Sequence, residues 1–148
     1  IKVCFPEAAA VEKLLEAKGP NSCYESVENR KECCFICKVV PLTKALKGHA
    51  IWITGLRAEQ SENRSDLALF EYDAHFGIIK FNPLLKWTLE EVQKYIDDNN
   101  VPQNALHKQG FVSIGCAPCT RAIAPGEDIR AGRWSWESSH KECGLHQK

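Results

Sequence analysis

The chain has 148 residues, and its nineteen basic and nineteen acidic side chains cancel, so no general electrostatic pull toward nucleic acid or an anionic membrane exists. With 44% hydrophobic and 26% charged residues, its composition is that of a globular domain and not of a disordered chain. No apolar run approaches the ~18–20 residues that cross a bilayer, and no export signal is recognisable, so a cytoplasmic protein is expected. The chain contains no Met and starts at Ile1 inside what reads as an ordered segment, which predicts a missing N-terminal part.

Pro6 to Lys18 is predicted to be a helix, opened by Pro6, with Val11, Leu14 and Leu15 on one face and Gly19-Pro20 as its stop. Residues 21–32 read as polar and turn-like, and a short helix is expected over 41–47. Ala50-Ile-Trp-Ile-Thr54 is a β-rich run predicted to be a buried strand. The polar stretch Leu56 to Asp66 then becomes a loop at the strand's C-terminal end, where open α/β sheets bind ligands. Ile78 to Phe81 is a second strand candidate, ended by Asn82-Pro83. Thr88-Leu-Glu-Glu91 is a capping box opening a helix whose apolar face is Val92, Tyr95 and Ile96. Helices alternating with short strands predict an α/β fold with a mainly parallel sheet. Residues 1–128 are expected to form the main domain, and 129–148 a flexible C-terminal segment.

The eight cysteines cluster in a way that disulfides of exported proteins do not explain. Cys33 and Cys34 are adjacent, Cys37 follows, and Cys116-Ala-Pro-Cys119 forms a second pair. Four gathered thiolates match a [4Fe–4S] cluster. They equally match a Cys4 zinc site; buried cysteines acting as small hydrophobes are the bland alternative, but an adjacent pair so far along the chain from a C-x-x-C is hard to explain that way and favours a metal or cluster. In Glu142-Cys-Gly-Leu-His146, Cys143 stands beside His140, Lys141 and His146. Nearby positive charge raises a thiol's thiolate fraction, which suits a nucleophile; a terminal Cys without a role is the alternative. Lys38 follows the first cysteine group, Arg57 and Arg64 flank the polar loop, and Arg121, Arg130 and Arg133 follow the second pair. Single surface arginines are usually solvated, but this grouping favours recognition of phosphate or sulfate.

Five stretches together resemble assimilatory adenylyl-sulfate (APS) reductases, the iron–sulfur branch of the APS/PAPS reductase family. They are Lys31-Glu-Cys-Cys-x-x-x-Lys-Val-x-Pro-Leu42, Trp52-Ile-Thr-Gly-Leu-Arg-Ala-Glu-Gln-Ser61, Ser113-Ile-Gly-Cys-x-Pro-Cys-Thr-Arg121, Pro125-Gly-Glu-Asp-x-Arg-x-Gly-Arg-Trp134 and Glu142-Cys-Gly-Leu-His146. The resemblance implies an adenine-nucleotide α-hydrolase-like (Rossmann-like) fold, with Cys33, Cys34, Cys116 and Cys119 holding a [4Fe–4S] cluster. It implies that Cys143 attacks the sulfur of APS, releases AMP, and leaves an S-sulfocysteine that thioredoxin or a glutaredoxin-like dithiol resolves to sulfite, within sulfate assimilation and cysteine biosynthesis. Lys38, Arg57, Arg64, Arg130 and Arg133 are the implied substrate contacts, and a homo-oligomer is possible in such a family. Cys37 stands where the family usually has Arg, and Ser135 where it usually has Trp. The family's Ser-Gly-Gly nucleotide loop has no counterpart in this chain. The alternatives are a PAPS reductase, a non-catalytic Cys4 zinc module, and a thiol oxidoreductase using Cys143 differently.

Overall fold

The computed structural model describes residues 1–60, 64 and 66–138, and these fall into two units. One comprises residues 1–48 with the segment from Trp136; the other is His49–Ser135.

In the first unit, helix α1 spans Ala8–Lys18 and ends at Gly19, whose φ of 77° and N–H to the Leu15 carbonyl close the last turn. Leu14 is its buried residue. The turn-like expectation for 21–32 does not hold. A 3₁₀ turn at Ser22–Tyr24 is followed by helix α2, Val27–Cys34, capped by the Ser26 hydroxyl accepting from the Asn29 N–H at 3.1 Å. The sequence Val-Glu-Asn-Arg-Lys-Glu-Cys-Cys carries no apolar stripe, so periodicity could not reveal this helix. One wide π-helical turn, Phe35–Val39, follows directly, with Val40 N–H reaching back to the Phe35 carbonyl. Helix α3, Val40–Leu46, completes one helical run from Val27. Pro41 lacks an N–H, and in a regular α-helix its ring would press on the carbonyl of Cys37. The wide turn relieves that conflict at the point where it arises.

The second unit is built on three strands: β1 (Ile51–Ile53), β2 (Phe70–Asp73) and β3 (Ile78–Phe81), in the order β1-β3-β2. β1 runs parallel to β3, and β2 pairs antiparallel with β3 through a hairpin, so the α/β fold carries a mixed sheet. The register puts Ile51, Ile53, Ile79, Phe81, Phe70 and Tyr72 on one face. Phe70 and Phe81 stack there at 4.4 Å. That face is largely open: Ile51 and Ile53 are 50% and 66% exposed, which corrects the expectation of a buried strand. An apolar run is buried on both sides only if both faces are covered. The other face holds Trp52 over Lys80, whose ammonium is buried and paired with Asp73 at 2.9 Å and Glu71 at 3.4 Å. Burial alone would oppose ionisation of Asp73. The hydrogen bond from Lys80, the Phe76 and His75 N–H groups and the Lys80 charge outweigh it and lower its pKa. Helix α4, Leu89–Asp98, begins at the expected capping box: Thr88 accepts from Glu91 N–H at 3.1 Å, and Glu91 accepts from Thr88 N–H at 2.7 Å. Among the described residues no helix is long and apolar enough to cross a membrane.

Candidate functional site

The first cysteine group sits at the end of α2 and in the wide turn behind it. Cys34 is buried, whereas Cys33, Cys37 and Lys38 are half-buried. Helical geometry puts Arg30 one turn ahead of Cys34 on the same face. Arg30 is 1% exposed and grips Glu137 with two parallel hydrogen bonds, Nε to Oε1 at 2.8 Å and Nη2 to Oε2 at 3.0 Å. Burial opposes the Arg30 charge, but the hydrogen bonds and charge of Glu137, then of Cys34, outweigh it and raise its pKa. Tyr24 packs edge-on against Trp136 at 4.4 Å, beside the same contact.

The second pair sits in a tightly tied hairpin. Cys116 precedes the 3₁₀ turn Ala117–Cys119, and Cys119 N–H donates to the Cys116 carbonyl at 2.9 Å. The Thr120 hydroxyl donates to that carbonyl at 2.8 Å and accepts from Gly115 N–H at 3.0 Å. Thr120 bridges Arg133 in antiparallel fashion, Arg121 N–H donates to the Gly132 carbonyl at 2.9 Å, and Trp134 N–H donates to the Cys119 carbonyl at 3.2 Å. Gly132 is required there, because a Cβ would lie 2.3 Å from the Arg121 carbonyl oxygen. Trp134 is fully buried with φ of 43°, an unfavourable backbone for a bulky residue, which the surrounding packing must hold in place.

Arg133 is buried against this hairpin. Its Nη1 donates to the Ile114 carbonyl at 3.2 Å, and its guanidinium lies 4.5 Å from the centre of the Trp134 ring. A Cβ at Gly115 would fall 2.3 Å from Nη2, so the glycine before Cys116 makes the cradle in which the guanidinium rests. Its Nε is buried and makes no hydrogen bond among the described residues. A buried cation with an unused donor beside a thiol pair fits an anionic group there.

The remaining expected anion contacts are more engaged than surface arginines usually are. Arg57 is 7% exposed, with Nη1 on Glu59 at 3.3 Å, and Glu59 also accepts from Leu89 N–H at 2.6 Å, at the start of α4. Arg64 is equally buried and donates to the Gln60 side-chain oxygen, which also accepts from Arg57 N–H at 3.2 Å. Arg130 is half-buried beside Asp128, whose carboxylate accepts its backbone N–H at 2.8 Å. Arg121 is tied to Glu127 on the surface; the hydrogen bonds it donates to that carboxylate, more than the carboxylate's charge, raise the Arg121 pKa against desolvation. Cys143, with His140, Lys141 and His146, lies outside the described residues.

Sequence reasoning did not select Gln60, Asn82 or Glu137. Asn82 is fully buried, accepts from the Thr54 hydroxyl and donates to the Ala68 carbonyl at 2.8 Å, while Thr54 Oγ1 accepts from Leu56 N–H at 3.3 Å. It thereby fixes the start of the loop that carries Arg57. Its only signal was its place after a strand and before Pro83, which reads equally well as a simple strand end.

None of the described cysteines forms a disulfide with another described cysteine. Within neither unit do the described residues gather three or more Cys, His, Asp or Glu in a metal-binding group. Each cysteine pair supplies two thiols of the kind that ligate an iron–sulfur cluster. The donor chemistry fits such a group, and the cationic cradle at Gly115 and Arg133 fits its negative charge.

Residues 1–122 match the family model described as the phosphoadenosine phosphosulfate reductase domain. The chain is similar to an adenosine 5′-phosphosulfate reductase of Rhizobium tropici, 53% identical over 95% of this chain and 79% of that protein. It is also similar to proteins of that name from Neisseria meningitidis serogroup B, 51% identical over 99% of this chain and 60% of the relative, and Burkholderia cepacia, 54% identical over 99% and 59%. This chain therefore spans about three fifths of the length of those two relatives. Among solved structures, it is similar to a phosphoadenylyl-sulfate (PAPS) reductase from Candida auris in a phosphate complex. The TM-score is 0.56 at 35% identity, covering 72% of this chain and 50% of that one.

Proposed function

The chain belongs to the phosphoadenosine phosphosulfate reductase domain family, and from that membership we propose that it carries the reductive centre of an enzyme converting adenylyl sulfate to sulfite and AMP. The observation that carries this reading is the presence of both cysteine pairs, the second clasped by a hairpin with the buried Arg133 laid over Gly115. Identity of 51–54% to relatives named for the APS substrate, against 35% to the PAPS reductase structure, favours APS.

Cys33, Cys34, Cys116 and Cys119 would hold a [4Fe–4S] cluster. When bound, it supplies a structural tie and a local electrostatic field. The Cys143 thiolate attacks the sulfur of APS, forming an S–S bond as the S–O bond to phosphate breaks, and the electron pair leaves with AMP. A dithiol of the thioredoxin or glutaredoxin class then attacks the Cys143 sulfur of the S-sulfocysteine. Sulfite departs with two electrons, the dithiol becomes a disulfide, and Cys143 returns as a thiol. Negative charge grows on the departing phosphate, so Lys38, Arg57, Arg64, Arg130 and Arg133 would stabilise the transition state more than the ground state. Arg57 and Arg64 enter this role already oriented by Glu59 and Gln60, so little reorganisation is left for the moment of reaction. A cytoplasmic role in sulfate assimilation completes the proposal.

The test uses the complete protein, prepared without oxygen. Iron and acid-labile sulfide of about four each per chain are expected. Sulfite release should depend on a dithiol and be faster from APS than from PAPS. Stoichiometric zinc without iron would replace the cluster with a structural metal site, and equal or faster use of PAPS would overturn the substrate assignment.

A further inference from the structure

We propose that Thr54 and Asn82 clamp the backbone on both sides of Arg57, making the two of them positioning residues for the Arg57 guanidinium. The inference rests on the reading of Arg57 as a contact to the departing phosphate. Ahead of Arg57, the Leu56 N–H donates to Thr54 Oγ1 at 3.3 Å, and the Thr54 hydroxyl donates onward to Asn82 Oδ1. Behind Arg57, the Ala58 N–H donates to the Leu85 carbonyl at 2.9 Å, and the Leu85 N–H donates to the Asn82 carbonyl at 3.1 Å. Both lines end on Asn82, one through its side chain and the other through its backbone. The residues before and after Arg57 therefore share one anchor point.

Asn82 can serve as that point because it is itself held. It is fully buried, and its N–H donates to the Leu69 carbonyl at 2.8 Å. Its Nδ2 faces two acceptors, the Ala68 carbonyl at 2.8 Å and Glu71 Oε1 at 3.4 Å, which turns Oδ1 toward Thr54. Glu71 is paired in turn with the buried Lys80 at 3.4 Å, and Lys80 with Asp73 at 2.9 Å. The Thr54 N–H extends the β1–β3 pairing by one bond, to the Phe81 carbonyl at 2.9 Å. A buried network whose donors and acceptors are matched holds one geometry, where a solvated loop root would sample several. Arg57 is buried with its guanidinium on Glu59, so a shift of its backbone strains that contact or carries the guanidinium with it. Misplacing a group by about 1 Å can cost up to ~100-fold in rate, which is the scale on which such a clamp acts.

The experiment is a double-mutant cycle in the complete protein: wild type, Thr54→Val, Arg57→Ala and the two together, with Thr54→Ser as the conservative variant. Valine keeps the shape of threonine and removes the hydroxyl, whereas serine keeps the hydroxyl. Sulfite release from APS with excess dithiol gives kcat and KM, and melting temperature shows that each protein is folded during the assay. Thr54→Val is expected to lower kcat ~10–100-fold, and Thr54→Ser to return it to within about threefold of wild type. In the Arg57→Ala background, Thr54→Val should cost less than about twofold more, because no guanidinium is left to position. A kcat within twofold of wild type in Thr54→Val overturns the clamp. Should Thr54→Val fail to fold, Thr54→Ala takes its place in the cycle, since its smaller side chain lets water reach the Leu56 N–H. Two outcomes separate the clamp from the reading beneath it. No sulfite from APS by wild type, or Arg57→Ala as fast as wild type, overturns the substrate contact and the clamp with it. A slow Arg57→Ala in which the Thr54 substitution costs the same factor as in wild type shows a structural role only and overturns the clamp alone.

Discussion

Replacing Gly115 by Ala puts one methyl group where the Arg133 guanidinium now rests, 2.3 Å from Nη2 and 2.5 Å from Cζ, far inside contact distance. The Gly115 backbone does not lie in the left-handed region, so alanine is hindered only by that side chain and gains about 0.4–1 kcal/mol from a less flexible unfolded chain. Against this, Arg133 must leave its seat. It gives up a charge-assisted hydrogen bond to Ile114, worth about 1.5–3 kcal/mol. It also loses its position over Trp134, worth about 0.5–2 kcal/mol. The balance is a net loss of about 1–4 kcal/mol, or a fall of about 4–8 °C in melting temperature for each 2 kcal/mol in a chain of this size. A double-mutant cycle with Arg133→Ala isolates the cause. With the guanidinium gone the methyl group has space, so Gly115→Ala should then cost nothing or stabilise slightly. Thermal unfolding of the four proteins reads the cycle. An equal cost of Gly115→Ala in both backgrounds would show that Arg133 does not occupy the cradle, and the electrostatic reading of the second cysteine pair would lose its main support.

Cys116→Ser and Cys119→Ser should each lower iron content and stability together, since ligand binding is coupled to folding; full iron in either variant removes that residue from the ligand set. Cys143→Ser should keep the melting temperature and iron content of wild type and lose sulfite production by orders of magnitude, read by a sulfite assay with APS and excess dithiol. Asp73→Asn addresses the buried Lys80 pair. Because the folded-state pKa of Asp73 lies below its ordinary ~3.9, the stabilisation is complete above that value and fades as pH falls through the lower, folded one. The variant should be less stable at neutral pH and lose less on acidification below about pH 4, so parallel melting curves for the two proteins would refute the pairing. Thr88→Ala removes the cap of α4 and should cost about 1 kcal/mol in urea denaturation, with no change in iron content.

Where residues act through local chemistry, the sequence could be read directly. The capping box at Thr88 and Glu91, the stop at Gly19 and the strand at Ile78–Phe81 depend on neighbours a few positions away, and each stands where those neighbours put it. Helix α2 escaped because its polar residues show no period, and a helix held by its cap and by one buried arginine leaves little trace in hydropathy. Strand β2 escaped for a related reason: four residues, Phe70-Glu-Tyr-Asp73, are too short a run for alternation to be distinctive. The cysteine pairs were visible because adjacent and C-x-x-C spacings are rare outside metal and redox chemistry. Their partners were not. Glu137 meets Arg30 across 107 positions and Arg133 meets Ile114 across nineteen, separations over which only folding brings residues together.

The basic residues change meaning when read this way. Arg57, Arg64 and Arg133 are each less than a tenth exposed, which removes the solvated-surface explanation that covers most arginines. Buried guanidinium groups are costly to desolvate, and Glu59, Gln60 and the Ile114 carbonyl are among the partners that offset that cost here. A multiply charged anion would offset that cost, because desolvated and oriented donors bind it more strongly than solvated ones. The loop that carries Arg57 and Arg64 starts from the sheet. Asn82, immediately after β3, holds Thr54, immediately after β1, and Thr54 in turn caps Leu56 N–H at the start of the polar loop. The parallel pairing of β1 with β3 brings those two strand ends side by side, so the mixed sheet supplies the fixed edge from which the loop and its arginines are presented.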